Sequence, residues 1–183
     1  MARGRPSKKG SILDIAQQLF AEFGYQGTSI DLVVRKAGVS KPTVYNNFPS
    51  KQVLLQSLIS RQIEAIKTRH QQIVLSDANT LQKLYLILEQ VISEPFELAI
   101  FKILYGEAHK LDSFSYNLCQ DFEQHVENAS KCVLAPLQLE QVECEVVLAV
   151  FKQAQLSNAL SGKPSLPINE LKAQLQVLKP LIL

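Results

Sequence analysis

The stretch AGVSKPTVYNNF at residues 37–48 allows few local structures, because it combines the turn signals of a glycine, a serine and a proline with a second proline, Pro49, directly after it. Its glycine suits the left-handed end of one helix, and the serine two residues later suits the N-cap of the next. Pro42 can occupy the first turn of that second helix, whereas Pro49 cannot lie inside it without breaking it. The stretch therefore predicts two helices joined by a tight turn, the second of them very short, which is a helix-turn-helix.

The residues around this turn have the apolar spacing of further helices. Residues 11–24 carry apolar side chains at intervals of three and four, which predicts an amphipathic helix that ends at Gly24. The next helix is expected to start with Thr28 as its N-cap and to end at Gly38. A fourth helix should follow Ser50, which can serve as its N-cap.

The short helix at residues 40–47 has a polar outer face with few charges. If Val44 and Phe48 face inward onto the first helix, the outward side chains are Lys41, Pro42, Thr43, Tyr45, Asn46 and Asn47. A face that is merely solvated, which is the alternative interpretation, would be richer in Glu and Lys. Lys, Thr, Tyr and Asn suit the base edges of a DNA major groove, so we expect this face to bind DNA.

The charge of the chain is unevenly distributed. Residues 1–70 contain eleven Lys and Arg against four acids, whereas the remaining residues contain eight against thirteen acids. This pattern indicates a basic module with a polyanionic partner. The first ten residues, MARGRPSKKG, are expected to form a flexible arm whose Arg3 and Arg5 enter an A·T-rich minor groove. The alternative is a basic tail that is attracted to phosphates without reading sequence.

The second half of the chain has helical periodicity throughout and no strand pattern. Helices are predicted at residues 80–93, from residue 95 onward, and at 113–134, 140–161 and 168–179. The segment FELAIFKILYGEAHK is apolar on most sides and must be enclosed by other helices. The sequence therefore predicts an all-α protein.

Several functional classes are disfavoured. The chain has no G-x-S-x-G, H-E-x-x-H or phosphate-binding glycine loop, and its three cysteines have no C-x-x-C spacing. We therefore expect no enzyme, no catalytic residue, no cofactor and no metal site. The longest apolar run, VVLAVF, is too short to cross a bilayer, so a soluble cytoplasmic protein is expected.

Residues 12–59 resemble the DNA-binding domain of the tetracycline-repressor (TetR) family. The family's pattern of LF-x-x-x-GY-x-x-T-[ST]-[IV], AGVS-x-x-[TS]-[VL]-Y and F-x-[SN]-K is present without gaps, with YNNF where YYHF or YRHF is more usual. The resemblance implies an N-terminal three-helix helix-turn-helix domain followed by a C-terminal helical ligand-binding and dimerisation domain. The expected parts are a basic arm (1–10), the DNA-binding domain (11–50) and the effector-binding and dimerisation domain (51–183), which helix four links to the DNA-binding domain.

Carried over by position, the resemblance also implies roles for individual residues. Thr28, Tyr45 and Lys51 would contact phosphates. The residues that would read base edges are Lys41, Pro42, Thr43 and Asn46. This division is chemically reasonable, because Lys can bond guanine, Asn can pair with adenine, and Pro and Thr can contact a thymine methyl group.

The resemblance further implies a homodimer and a small-molecule effector. The dimer would form through residues 140–183, although residues 146–151 could instead fill the core of one chain. Candidate ligand contacts lie among the apolar positions of the middle helices, namely Tyr85, Phe101, Tyr105, His109 and Tyr116. The expected function is a dimeric, sequence-specific repressor that a small, largely apolar ligand releases from a palindromic operator. The alternative is an architectural DNA-binding protein without an effector.

Overall fold

The computed structural model of the chain describes residues 8–175, and all regular elements in that range are helical. The first four helices are α1 (Lys8–Gly27), α2 (Ile30–Ala37), α3 (Lys41–Asn47) and α4 (Lys51–Leu75). They are followed by α5 (Thr80–Ser93), α6 (Pro95–Gly106), a 3-10 turn (Ala108–Lys110) and α7 (Ser113–Leu134). The last elements are a 3-10 turn (Ala135–Leu137), α8 (Gln141–Phe151), a π-helical segment (Lys152–Ser157), α9 (Asn158–Leu160) and α10 (Ile168–Leu175). The all-α prediction is confirmed.

The local signals around the tight turn act as predicted. Gly38 ends α2 in the left-handed conformation, with φ 64° and ψ 31°. The Oγ of Ser40 caps α3 by accepting a hydrogen bond from the backbone N of Thr43 at 3.3 Å. Pro42 lies in the first turn of α3, where its missing N–H costs no hydrogen bond. α2 and α3 therefore form the predicted helix-turn-helix.

The predicted N-cap of the second helix is wrong by one residue. Ser29 is the cap, and its Oγ accepts a hydrogen bond from the backbone N of Leu32 at 3.1 Å. Thr28 is buried instead, and its hydroxyl donates to the carbonyl O of Gly24 at 2.8 Å. Serine and threonine are both good caps, so the local sequence did not distinguish them.

The predicted flexible arm is too long, because α1 already begins at Lys8. Residues 8–10 are therefore helical. Arg3 and Arg5, the two arm residues expected to enter a minor groove, lie outside the described residues. Their role stays a prediction.

Packing divides the chain into two compact units. The first contains the described residues up to Ile63 together with Pro95–Phe122, and the second contains Glu64–Glu94 and the described residues from Glu123 onward. α4 and α7 each contribute to both units. The first unit thus joins α6, which packs along α1, to the helix-turn-helix. This packing division does not follow the boundary at residue 50, and the functional division at that boundary stays a prediction.

The core of the first unit buries the inner face of α3. Val44 is 0% exposed and Phe48 is 1% exposed, as expected from the sequence. The other buried apolar side chains of the first unit come largely from α1, α4 and α6, including Ile12, Ala16, Phe20, Leu54, Leu58, Ile100 and Phe101. Burial of one large apolar side chain contributes about 1.5–3 kcal/mol.

The second unit contains a buried pair of histidines that are far apart in the sequence. His70 is 1% exposed, and its ring stacks on that of His125 with centroids 5.8 Å apart and planes 13° apart. Burial, followed by the charges of His125 and Arg69, lowers the pKa of His70 to about 4. Burial and Lys67 also lower the pKa of His125, against an opposing effect of Glu64. The folded second unit therefore favours neutral imidazoles.

Acid should destabilise the second unit through His70. The pKa of this ring falls from its ordinary 6.5 to about 4 on folding, so the unfolded chain binds the proton first as the pH drops. The stabilisation is complete above pH 6.5 and is lost between about pH 6.5 and 4, with a total loss of about 3 kcal/mol. Urea unfolding from pH 7.5 to 4.5 should show a weaker pH dependence for His70→Leu. The exposed His109→Leu should behave as wild type, and equal pH dependence in all three proteins would contradict this account.

Candidate nucleic-acid interface

α3 presents a polar face at the surface of the first unit. The Tyr45 side chain is 42% exposed, and Lys41, Pro42 and Asn46 are also exposed. Thr43 is half-buried, with its hydroxyl 2.8 Å from the Oγ of Ser40. The structure thus brings the predicted base readers together on one side of a helix whose other side is buried.

Lys41 is held at this face by an exposed ion pair. Its Nζ lies 2.8 Å from Oδ1 of Asp31 and 6.0 Å from the centre of the Tyr45 ring. The hydrogen bond and charge of Asp31 raise the pKa of Lys41, so the ammonium stays charged. Because both side chains are exposed, water screens the pair and a DNA ligand can replace it at little cost.

Lys51, a predicted phosphate contact, is partly buried. Its Nζ donates to the carbonyl O of Tyr25 at 2.8 Å and lies 4.2 Å from the centre of the Tyr25 ring. Burial lowers the pKa of Lys51, and the charge of Glu107 opposes this effect. An ammonium has three donors, so the bond to Tyr25 leaves two for a phosphate.

The remaining DNA-contact candidates differ in accessibility. Thr28 is 1% exposed and its hydroxyl already donates to the carbonyl O of Gly24. The hydroxyl proton of Thr28 is therefore already used and is not offered to a phosphate. Asn47, although on the polar side, donates its amide to the carbonyl O of Thr43 at 2.8 Å. Arg35 and Lys36 are exposed in the last turn of α2 and were not selected from the sequence. The available signal was their position in the last turn of α2, three and two residues before the turn glycine Gly38.

The five ligand candidates do not all lie in one unit. Phe101, Tyr105, His109 and Tyr116 belong to the first unit, whereas Tyr85 belongs to the second. Phe101 is buried and its ring centre lies 6.0 Å from that of Tyr105, which is 56% exposed. His109 is exposed in the 3-10 turn, and Tyr116 is half-buried. The structure brings only Phe101 and Tyr105 into ring contact among these five, and the ligand site stays a prediction.

The second unit exposes an apolar stripe along α8. Val142 is 68% exposed and Val146 is 37% exposed. A cleft of about 450 Å³ continues the same surface, lined by Ala149, Val150, Gln153, Ala154, Asn158 and Leu166. Val147 and Phe151, on the other side of α8, are buried. One side of the helix thus fills the core, and the exposed Val142 and Val146 form a short apolar stripe beside the exposed Gln141 and Glu145.

The described residues contain no helix that is long and apolar enough to cross a membrane. They also contain no group of three or more His, Cys, Asp or Glu side chains arranged to hold a metal ion. The three cysteines are free, with Cys119 buried and Cys132 exposed.

An all-helical fold with an exposed polar α3 defines the class of this protein as a helix-turn-helix protein with a DNA-binding surface. Residues 12–58 match the model of the tetR family of bacterial regulatory proteins. These residues are therefore similar to the helix-turn-helix of that family, and the same part of the chain is similar to proteins described as transcriptional regulators.

Similarity to full-length relatives is weaker outside this region. The transcriptional repressor KstR2 of Mycobacterium tuberculosis H37Rv is 31% identical over 78 residues, which are 43% of this chain and 39% of KstR2. The chain thus spans about two fifths of that relative. A transcriptional regulator of Aquifex aeolicus VF5 is 25% identical, with a TM-score of 0.63 over 94% of this chain and 98% of that one. FadR of Bacillus subtilis, solved with stearoyl-CoA, is 16% identical with a TM-score of 0.67 over 92% and 96%, which shows the fold alone.

Removal of the Asp31 carboxylate should strengthen DNA binding in a salt-dependent way. Asp31→Asn releases Lys41 for phosphates or bases, so the slope of log affinity against log salt should steepen by up to about 0.9. The free energy of unfolding should change by less than about 1 kcal/mol, because the pair is exposed. Titrations of random duplex DNA at several salt concentrations measure the slope.

Asp14→Asn is the matched control, because Asp14 is 67% exposed and its Oδ1 lies 3.2 Å from Nη1 of Arg61. This ion pair joins α1 to α4 and does not include a residue of α3. The Asp14 variant should leave the slope unchanged. Equal slopes for the Asp31 and Asp14 variants would contradict the account that the ion pair with Asp31 holds Lys41 back from DNA.

Proposed function

We propose that this protein is a dimeric, sequence-specific DNA-binding regulator of transcription that acts as a repressor, without catalysis, in the cytoplasm. The observation that carries the proposal is the division of α3 into a buried face and an exposed face. Val44 is fully buried, whereas Lys41, Tyr45 and Asn46 are exposed. A short helix that is anchored by one side can place its other side in a major groove.

The proposed contacts follow the chemistry of the exposed side chains. Lys41 and Asn46 offer hydrogen bonds to guanine and adenine, and Pro42 and Thr43 offer apolar contact to thymine. Tyr45 and Lys51 would bind phosphates, and Thr28 would help to place the start of α2 against the backbone. Arg3 and Arg5 would add minor-groove contacts from the N-terminal residues. Together these groups would fix both register and sequence preference.

A homodimer is proposed from the uncovered apolar side of α8. A second copy could cover Val142, Val146 and the adjoining cleft, and residues around Gln153 and Asn158 could form its polar margin. Two recognition helices in one dimer would enter successive major grooves about 34–36 Å apart on a palindromic operator.

The effector is proposed to be a small, largely apolar molecule bound within residues 51–183. The candidate contacts are Tyr85, Phe101, Tyr105, His109 and Tyr116. FadR of Bacillus subtilis, which shares the fold, was solved with stearoyl-CoA. This is consistent with an apolar effector here, although it describes that protein. α4 begins at Lys51 and continues through Leu75, so a shift of its far end would also move the DNA-binding residues. A hundredfold loss of operator affinity requires roughly 2.7 kcal/mol of differential ligand binding.

Base and phosphate contacts should respond differently to substitution. Asn46→Ala should cost about 1–3 kcal/mol on an operator selected from a random library and little on random DNA. Tyr45→Phe should weaken both by the same factor, because a phosphate contact carries no sequence information. Asn47→Ala is the control: its amide is bonded within α3, so it should leave the ratio of operator to random affinity unchanged. A ratio near one in the wild type would favour the architectural alternative.

A charge on the apolar side of α8 should separate the dimer. Val146→Glu should give a monomer in light scattering and should abolish the gain in affinity from a second half-site. Leu86→Glu is the matched control, because Leu86 in α5 is 40% exposed and Val146 is 37% exposed. It should leave the dimer intact. A wild-type monomer that binds one half-site with full affinity would contradict the proposal.

A further inference from the structure

In the first unit, the carboxylate of Glu107 bonds the backbone of Tyr25 and Gln26, just before the helix-turn-helix. Glu107 lies between α6 and the 3-10 turn, far from α1 in sequence. Its Oε1 accepts a hydrogen bond from the backbone N of Tyr25 at 3.0 Å, and its Oε2 accepts one from the backbone N of Gln26 at 2.6 Å. We call this pair of charge-assisted bonds the Glu107 clamp.

The clamp acts where α1 is interrupted. Gly24 has φ 67° and ψ −169°, which no helical residue adopts, so the N–H groups that follow it need partners outside the helix. A side chain at this position would also collide with the clamp, because a Cβ on Gly24 would lie 2.3 Å from Oε1 of Glu107. Gly24 is thus required both for its backbone conformation and for the close approach of the carboxylate.

The clamped residues in turn hold two candidate phosphate contacts. The carbonyl O of Tyr25 accepts the hydrogen bond from Nζ of Lys51, and the Tyr25 ring lies beneath the same ammonium. The carbonyl O of Gly24 accepts the hydroxyl of Thr28, which directly precedes the N-cap of α2. A displacement of residues 24–26 would therefore move both Lys51 and the start of α2.

The segment that carries Glu107 is itself fixed to α4. Oδ1 of Asp112 accepts a hydrogen bond from the backbone N of Ser115 at 2.7 Å. The Nε2 of Gln56 donates to the Oγ of Ser115 at 3.0 Å. α4 thus bonds both to Ser115, in the segment that follows Glu107, and to Tyr25, which Glu107 holds. The segment around Glu107 is therefore anchored to α4 by hydrogen bonds.

We propose that Glu107 is a positioning residue for DNA binding, which sets residues 24–26 and through them Lys51 and the start of α2. The proposal rests on the proposed function for its DNA measurement, whereas the clamp is also measurable without DNA. The direction of the change in DNA affinity distinguishes this proposal from a simple charge effect. Since DNA is a polyanion, removal of a nearby acid should strengthen binding if charge alone matters, and should weaken it if Glu107 positions the contacts.

The first experiment compares Glu107→Ala and Glu107→Gln with Glu22→Gln. Glu107→Ala should weaken operator binding about tenfold, because bonds to a charged group are the strong ones. Glu107→Gln keeps a carbonyl acceptor and should recover part of the loss. Glu22 is exposed in α1 close to the same backbone, so Glu22→Gln removes an equal charge without touching the clamp. It should bind DNA at least as tightly as the wild type.

The second experiment breaks the clamp from its other side. Gly24→Ala should push the carboxylate away from Tyr25 and Gln26 and should also strain the backbone at φ 67°, so its effect on operator binding should add only in part to that of Glu107→Ala. Gly38→Ala is the control, because Gly38 also has a positive φ of 64° but a Cβ there meets nothing within 4 Å. Its effect should add fully to that of Glu107→Ala.

Amide hydrogen exchange at Tyr25 and Gln26, followed by NMR without DNA, reports on the clamp directly. Both amides should exchange faster in Glu107→Ala and Gly24→Ala than in Glu22→Gln. Unchanged exchange, or operator binding by Glu107→Ala that equals or exceeds the wild type, would overturn the proposal. If the wild type showed no preference for any DNA sequence, the proposed function would fail, and the exchange rates would still decide whether Glu107 positions residues 24–26.

Discussion

The first unit depends on the burial of one side of a seven-residue helix. α3 is too short to be stable alone, since isolated helices below about 12–15 residues are marginal in water. Val44 and Phe48 supply the missing stability by entering the core that α1, α4 and α6 form. Because packing rather than intrinsic helix propensity holds α3, its outer side chains are free to be chosen for binding.

Two basic side chains near α3 already have partners in the folded protein. Lys41 pairs with Asp31, and Lys51 bonds the carbonyl O of Tyr25 while lying over its ring. Such contacts restrict long, flexible side chains before any ligand arrives, which lowers the entropy that binding must remove. The free energy needed to separate each lysine from its partner differs, because the Lys41 pair is exposed to water whereas Lys51 is partly buried. DNA would thus engage them unequally.

The second unit buries some polar side chains and exposes some apolar ones. Gln155, in the π-helical segment, is fully buried, and neither side-chain amide atom has a hydrogen-bond partner among the described residues. A buried polar group without a partner costs about 1–3 kcal/mol. π-Helical segments of this kind occur frequently at functional sites. The exposed Val142 and Val146 of α8 show the opposite mismatch, and both features lower the stability of the second unit.

Local signals in the sequence were enough to predict the helices and the exposed face of α3. Gly24, Gly38 and Ser40 act through their own backbone or the adjacent turn, and apolar spacing reflects which side of a helix is buried, so these features are readable locally. The partners of the polar groups, in contrast, depend on how the helices pack against one another. The Glu107 clamp joins residues 82 positions apart, and the His70–His125 stack joins two helices. Such pairs depend on how helices pack, and a carboxylate or an imidazole looks the same in a sequence whether it meets water or a buried backbone amide.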